Sequence, residues 1–131
     1  MLLAIDSFKG SVSSAQAEAT VAEGVRRVWP DAEVRALPLA DGGEGTLDAI
    51  AACGGELSTC DVAGPLGDRV SARMLVDDER DSAVIEMAEA AGIGYSPCTE
   101  SSALAATTYG VGELMLRAVR AGAKTIYIGL G

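Results

Sequence analysis

The sequence predicts an α/β protein built on a parallel sheet with helices, interrupted by a smaller β-rich inserted domain and incomplete at its C-terminus. Three observations carry the prediction. Twice near the start, an apolar strand-like run leads into a polar or glycine-rich loop and then into helical periodicity, the alternation of a parallel sheet covered by helices. Over residues 57–100 the texture changes to short strands with tight connections. From residue 101 the first texture returns, and the sequence closes on Thr125-Ile126-Tyr127-Ile128 followed by Gly129-Leu130-Gly131, a strand running into a glycine-rich turn. The expected organisation is a first segment over 1–56, a smaller inserted domain over 57–100 and a return segment over 101–131.

Each element has a local reason. Leu2 to Ile5 is a short apolar strand that breaks at Asp6-Ser7-Phe8-Lys9-Gly10-Ser11. Ser13, with Gln16 three residues on, fits a capping box, and Ala17, Val21, Val25 and Val28 then recur at helical spacing until Trp29-Pro30. Val34, Ala36 and Leu37-Pro38-Leu39 form the next extended run, leading to Asp41-Gly42-Gly43-Glu44-Gly45-Thr46. Leu47, Ile50 and Ala51 mark one face of a short helix closed by Gly54-Gly55. In the middle, residues 57–62 and 70–76 flank the turn Gly64-Pro65-Leu66-Gly67, with Val70, Ala72, Met74 and Val76 on one side. Asp77-Asp78-Glu79-Arg80-Asp81 is a charged turn before the strand Ala83-Val84-Ile85. Finally Val111, Leu114, Met115, Ala118 and Val119 form one apolar helix face, capped by Gly122, before the closing strand.

Composition narrows the function classes. The 131 residues are 49% hydrophobic, the size of one ordinary domain with material for a core. No apolar run approaches the roughly 18 residues of a membrane span, and Asp6 interrupts the start too soon for a signal peptide, so the expectation is a cytoplasmic protein. Nineteen acids against 10 bases give a net charge of −9, and the bases are scattered, which argues against nucleic-acid or membrane-surface partners. The 3 cysteines, Cys53, Cys60 and Cys98, lack metal-ligand spacing and read as reduced thiols packed as small hydrophobes. There is no histidine, so Ser-His-Asp chemistry, Cys-His chemistry and His-ligated metals are excluded within this segment.

Two loops carry candidate chemistry. The loop at residues 6–11 leaves a strand and enters a helix, where open α/β sheets place ligands. Lys9 is a point charge suited to phosphate or carboxylate, and Asp6 could orient it, accept a hydroxyl proton or hold Mg²⁺. A turn with a solvated lysine explains the same residues. The loop at residues 41–46 holds three glycines and two carboxylates, and its glycines allow a ligand close to the backbone and free N–H groups to bind it. Asp41 and Glu44 could serve a metal or substrate hydroxyls, or be an Asx turn and a helix N-terminal charge. Thr107-Thr108-Tyr109-Gly110 offers a helix cap first and an anion site second. Glu86 could face a cleft between domains or solvent. Arg26, Arg35, Arg69 and Arg73 read as surface or domain-contact residues.

Taken in order, Asp6-Ser7-Phe8-Lys9-Gly10-Ser11, Ala40-Asp41-Gly42-Gly43-Glu44-Gly45-Thr46, Glu86-Met87-Ala88, Thr107-Thr108-Tyr109-Gly110 with Gly112-Glu113-Leu114, and Ile128-Gly129-Leu130-Gly131 form a pattern that resembles the bacterial type of glycerate kinase. Agreement runs nearly the length of the chain and covers roughly the first third of a family member, which exceeds one domain in size. The resemblance implies a Rossmann-like domain with a smaller domain inserted and a cleft between them. It implies ATP-dependent, Mg²⁺-assisted phosphorylation of D-glycerate, commonly to 2-phosphoglycerate. By motif match, Asp6 and Lys9 are the catalytic candidates. Ser7, Gly10, Asp41, Gly42, Gly43, Glu44, Gly45, Thr46, Thr107 and Thr108 are the substrate candidates, and Gly129 and Gly131 the nucleotide candidates. No metal ligand is assigned. The start lacks the proline often found before Asp6 in the family. The family continues past the equivalent of Gly131 into a loop rich in Gly, Ser, Thr, Asn and Asp, so the 131 residues alone are expected to be inactive. The partners to expect are D-glycerate and ATP, with a homo-oligomer or a further C-terminal segment beside them. The alternative from another class is a non-catalytic small-anion-binding module, or a truncated subunit that needs a partner segment.

Overall fold

The computed structural model describes residues 1–8 and 10–131; Lys9 lies outside the described residues. The chain divides into two units, Met1–Asp41 and Gly42–Gly131. It is α/β, as the alternation of elements predicts.

The first unit is a single β-α-β turn of the chain. Strands β1 (Leu2–Leu3) and β2 (Arg35–Ala36) pair in parallel, and helix α1 (Ser14–Val28) connects them. α1 starts where the capping box predicts: Ser13 Oγ accepts the Gln16 N–H at 3.3 Å and Gln16 Oε1 accepts the Ser13 N–H at 3.1 Å. Trp29 ends it, as Pro30 requires. Arg26 and Arg27 in the last turn face the negative end of the helix dipole. Leu3, Ala17 and Ala22 are buried, a small core consistent with two-residue strands.

The second unit holds the main core. Helix α2 (Thr46–Ala51) precedes a four-stranded sheet in the order β3 (Glu56–Ala63), β4 (Arg69–Asp77), β5 (Ser82–Glu86), β6 (Thr125–Gly129). β3–β4 and β4–β5 are antiparallel, whereas β5–β6 is parallel. Between β5 and β6 run α3 (Met87–Ala91), α4 (Glu100–Ala105) and α5 (Tyr109–Arg120). The strand that closes the sequence thus joins the same sheet as the β-rich middle.

Strand alternation decides which helix covers which face. Val62, Ala72, Met74, Ala83 and Ile85 pack with Val111, Leu114 and Ala118 of α5 and Ala90 of α3. Leu75 and Val84, one residue out of phase, pack on the other face with Leu47 of α2. Each fully buried aliphatic side chain of this kind contributes about 1.5–3 kcal/mol. The period-two run of Val70, Ala72, Met74 and Val76 lies on one face, as predicted, and α5 packs on that face. α3 and α4 were not legible, being five and six residues long and without a full helical period. The cysteines are free; Cys60 packs against the core, but Cys53 and Cys98 are exposed rather than packed.

Candidate functional site

β5 and β6 run in parallel and end at the same level, with Glu86 opposite Gly129. Carboxyl ends of parallel strands are where open α/β sheets bind ligands. Antiparallel β4 begins at this end and β3 finishes there, so the connection from Gly64 to Asp68 lies at it as well.

Two glycine loops meet at this end of the second unit. A Cβ placed on Gly129 would come 2.4 Å from the Gly42 carbonyl oxygen, and one on Gly131 would come 3.0 Å from Gly43 Cα. Backbone lies on backbone, an approach only glycine permits. Gly42 and Gly45 also have φ of +101° and +96°, the left-handed region. The missing side chains at Gly129 and Gly131 are therefore explained by the packing of 129–131 against 42–43.

Glu86, at the end of β5, supports the loop from below. It is 2% exposed; Oε1 accepts the Gly45 N–H at 3.3 Å and Oε2 accepts the Leu47 N–H at 3.1 Å. Burial pushes its carboxyl above the usual range, against the pull of those two N–H groups; Glu89 adds to the rise and Arg73 opposes it. The Thr46 N–H and hydroxyl both bond the Gly43 carbonyl, at 3.2 and 2.8 Å. The expectation that successive glycines free their N–H groups for a ligand therefore does not hold at Gly45, Thr46 or Leu47. At those positions the loop has no spare amide.

A second brace reaches α2 from the sheet. Arg73 bonds Asp48 of α2 at 2.8 Å and Glu89 of α3 at 2.6 and 2.8 Å, and Glu89 also accepts the Arg73 backbone N–H at 2.9 Å. These carboxylates hold the guanidinium above its ordinary range. Glu89 is the stronger arm, its side chain being 12% exposed against 60% for Asp48.

Thr107 and Thr108 lie at the same end. The Thr107 N–H donates to the Pro65 carbonyl at 3.0 Å, and its hydroxyl accepts the Tyr109 N–H at 3.2 Å. Thr108, at the N-cap of α5, makes no side-chain cap bond and is exposed. Gly110 must be glycine, since a Cβ there would meet the Ala63 carbonyl at 1.8 Å. Glu113 one turn on accepts the Ala63 N–H at 2.6 Å and pairs with Arg69.

In the first unit, residues 6–8 and 10–11 form a tight loop. The Ser11 and Val12 N–H groups donate to the Phe8 carbonyl at 2.8 and 3.1 Å, and Gly10 has φ of +70°. Asp6 accepts the Ser7 N–H at 2.7 Å; Asp6, Ser7 and Gly10 are exposed. Ile5, where the loop leaves β1, is held by α1: its N–H donates to Glu18 at 3.2 Å and its carbonyl accepts the Ser14 hydroxyl.

The sequence places Glu86 at a cleft or in solvent, and in the structure it is buried beneath the loop. Glu18 escaped notice, as did the bridging role of Arg73. The only signals were an acid closing an apolar strand, an acid on the Ala17–Ala22 face of α1, and an arginine inside an alternating strand. Among the described residues there is no grouping of three or more metal-ligating side chains. Among the described residues no helix is long and apolar enough to cross a membrane.

The model of the glycerate kinase family matches residues 1–131. A glycerate kinase of Halalkalibacterium halodurans is 42% identical over 132 residues, covering 100% of this chain and 35% of that protein. The glycerate 2-kinase of Escherichia coli is 40% identical, with the same two shares, 100% and 35%. The crystal structure of a putative glycerate kinase 2 from Salmonella typhimurium superposes with a TM-score of 0.78 at 42% identity, over 99% of this chain and 35% of that one. The chain thus spans about a third of the length of its relatives, 35% in each case.

Proposed function

Because the chain belongs to the glycerate kinase family, we propose that the protein carrying it transfers the terminal phosphoryl group of ATP to a hydroxyl of D-glycerate. The product is a phosphoglycerate, and the name of the Escherichia coli relative favours 2-phosphoglycerate. The observation that carries the reading is the family match over residues 1–131. The meeting of two glycine loops at the carboxyl end of β5 and β6 supports it.

Such a transfer needs positioning and charge neutralisation more than covalent chemistry, which suits a segment without histidine. In this reading Lys9 neutralises charge on the transferred group and Asp6 orients the lysine or accepts the hydroxyl proton. Ser7, Gly10, residues 41–46, Thr107 and Thr108 contact glycerate, and residues 129–131 approach the nucleotide. Mg²⁺ accompanies ATP in this proposal; the described residues supply no ready ligand set, so no step is assigned to it. The division at 56/57 and 100/101 into a Rossmann-like domain, an inserted smaller domain and a return segment belongs to the same proposal. It must accommodate the continuous β3–β6 sheet. A cytoplasmic location is also part of it. The reading as a small-anion-binding module is weaker, because the amides of Gly45, Thr46 and Leu47 are already bonded internally.

The test is a coupled ADP-release assay on the natural gene product with D-glycerate, ATP and Mg²⁺, followed by phosphorus NMR of the product. Turnover giving 2-phosphoglycerate is expected. Turnover with another hydroxy acid and none with D-glycerate would overturn the substrate assignment.

A further inference from the structure

We propose that Glu86 is a positioning residue for this reaction, a buried latch that fixes residues 42–46 over the carboxyl ends of β5 and β6. The catalytic consequence rests on the proposed kinase reading, whereas the latch itself rests on geometry. At 2% exposure Glu86 does not reach a ligand. What it touches is backbone: each oxygen takes one N–H, from Gly45 and from Leu47, the residues either side of Thr46. A two-point hold of this kind fixes both the height and the rotation of the loop where it enters α2.

The loop has no slack in the other direction. The Gly42 carbonyl oxygen already occupies the place a Gly129 side chain would fill, so the loop cannot settle closer to β6. It cannot lift without losing two hydrogen bonds to a carboxylate, the stronger class of such bonds. Arg73 holds α2 from the side through Asp48 and is itself fixed by Glu89. Glu86 and Gly129 are partners in the β5–β6 register, so latch and resting surface share one level of the sheet. The first two amides of α2, those of Thr46 and Leu47, are both bonded within the protein. The loop is thus held from both sides.

Glu86→Gln in the natural gene product tests this, since the amide keeps the shape but turns one acceptor into a donor facing an N–H. A displacement on the order of 1 Å can cost about a hundredfold in rate, so kcat/KM for D-glycerate should fall roughly 10- to 100-fold. Hydrogen exchange supplies a readout independent of activity. In the unmutated protein the Gly45 and Leu47 amides should be protected, and in the variant they should exchange at least about tenfold faster while β3–β4 amides hold their rates. Unprotected Gly45 and Leu47 amides in the unmutated protein would overturn the latch even if the variant fails to fold. A folded variant with unchanged exchange or unchanged kcat/KM would overturn it too. No turnover of D-glycerate by the unmutated protein would instead sink the kinase reading, and the exchange rates would still decide whether Glu86 latches the loop.

Discussion

Two buried glutamates stand beside two candidate loops, and they are bonded differently. Glu86, 2% exposed, gives one oxygen to each of two backbone N–H groups of the 42–46 loop and α2. Glu18, 1% exposed, gives Oε1 to the Ile5 N–H, and its Oε2 has no hydrogen-bond partner among the described residues. A buried carboxylate with both oxygens paired offsets part of its desolvation and fixes what it touches at two points; one with an idle oxygen has one bond fewer to set against the same kind of cost. The 42–46 loop is therefore held by its carboxylate, whereas the strand end before the 6–11 loop is held at one point by Glu18 and at a second by the Ser14 hydroxyl. The contrast is between a carboxylate held at both oxygens and one held at a single oxygen.

The largest effect should come from removing the paired carboxylate. Glu86→Ala strands two buried donors and opens a void, and should cost about 2–4 kcal/mol in urea unfolding, net of relief from burying the charge. A loss below about 0.5 kcal/mol would place Glu86 outside the support of the loop. Next, the two glycine requirements differ in kind. Gly129→Ala forces a Cβ to 2.4 Å from the Gly42 oxygen and should cost about 1–3 kcal/mol by overpacking. Gly10→Ala meets nothing within 4 Å and is penalised only by its φ of +70°, at about 1 kcal/mol. Equal costs in thermal unfolding would mean that the two glycine loops do not rest on one another as described.

The idle oxygen predicts a change of opposite sign. Glu18→Gln keeps a carbonyl for the Ile5 N–H and replaces an unpaired charged oxygen by a neutral amide, so stability should stay level or rise by up to about 1 kcal/mol. Glu86→Gln should instead fall, because there the new amide meets a donor. A destabilised Glu18→Gln, by calorimetry near neutral pH, would erase the distinction between the two glutamates.

Much of this architecture was legible because its causes are local. Ser13 and Gln16 announce α1, Pro30 its end, and Val70 to Val76 the buried face of β4. The loops at 6–11 and 41–46 stood out through glycine density and through position after strands. What stayed hidden depends on distant partners. Glu86 bonds residues about forty positions earlier, with separations of 41 and 39, and Arg73 reaches 25 and 16 positions to its carboxylates. No periodicity encodes such pairs. The loop amides could not be judged free or occupied until the acid beneath them was located, so the site's residue types were readable and its hydrogen-bond polarity was not.

The subtlest test asks whether pairing or burial governs these carboxylates. Glu113 accepts a single backbone N–H, from Ala63, and that bond, with help from Arg69 and Arg117, holds it below its ordinary value of 4.5. Glu86 accepts two such bonds and still titrates above 4.5, because burial outweighs them. The signs of the stability contributions are therefore opposite. The contribution of Glu113 is present above pH 4.5 and lost as pH falls through its lowered value. That of Glu86 is present below pH 4.5 and lost as pH rises through its raised value, with Glu89 and Arg73 the charged groups that face it. Urea unfolding from about pH 3 to 7 should then show the advantage of the unmutated protein over Glu86→Gln shrinking as pH rises, and its advantage over Glu113→Gln shrinking as pH falls. Curves for Glu86→Gln that run parallel to the unmutated protein would mean that the two amide bonds cancel the burial of Glu86 completely.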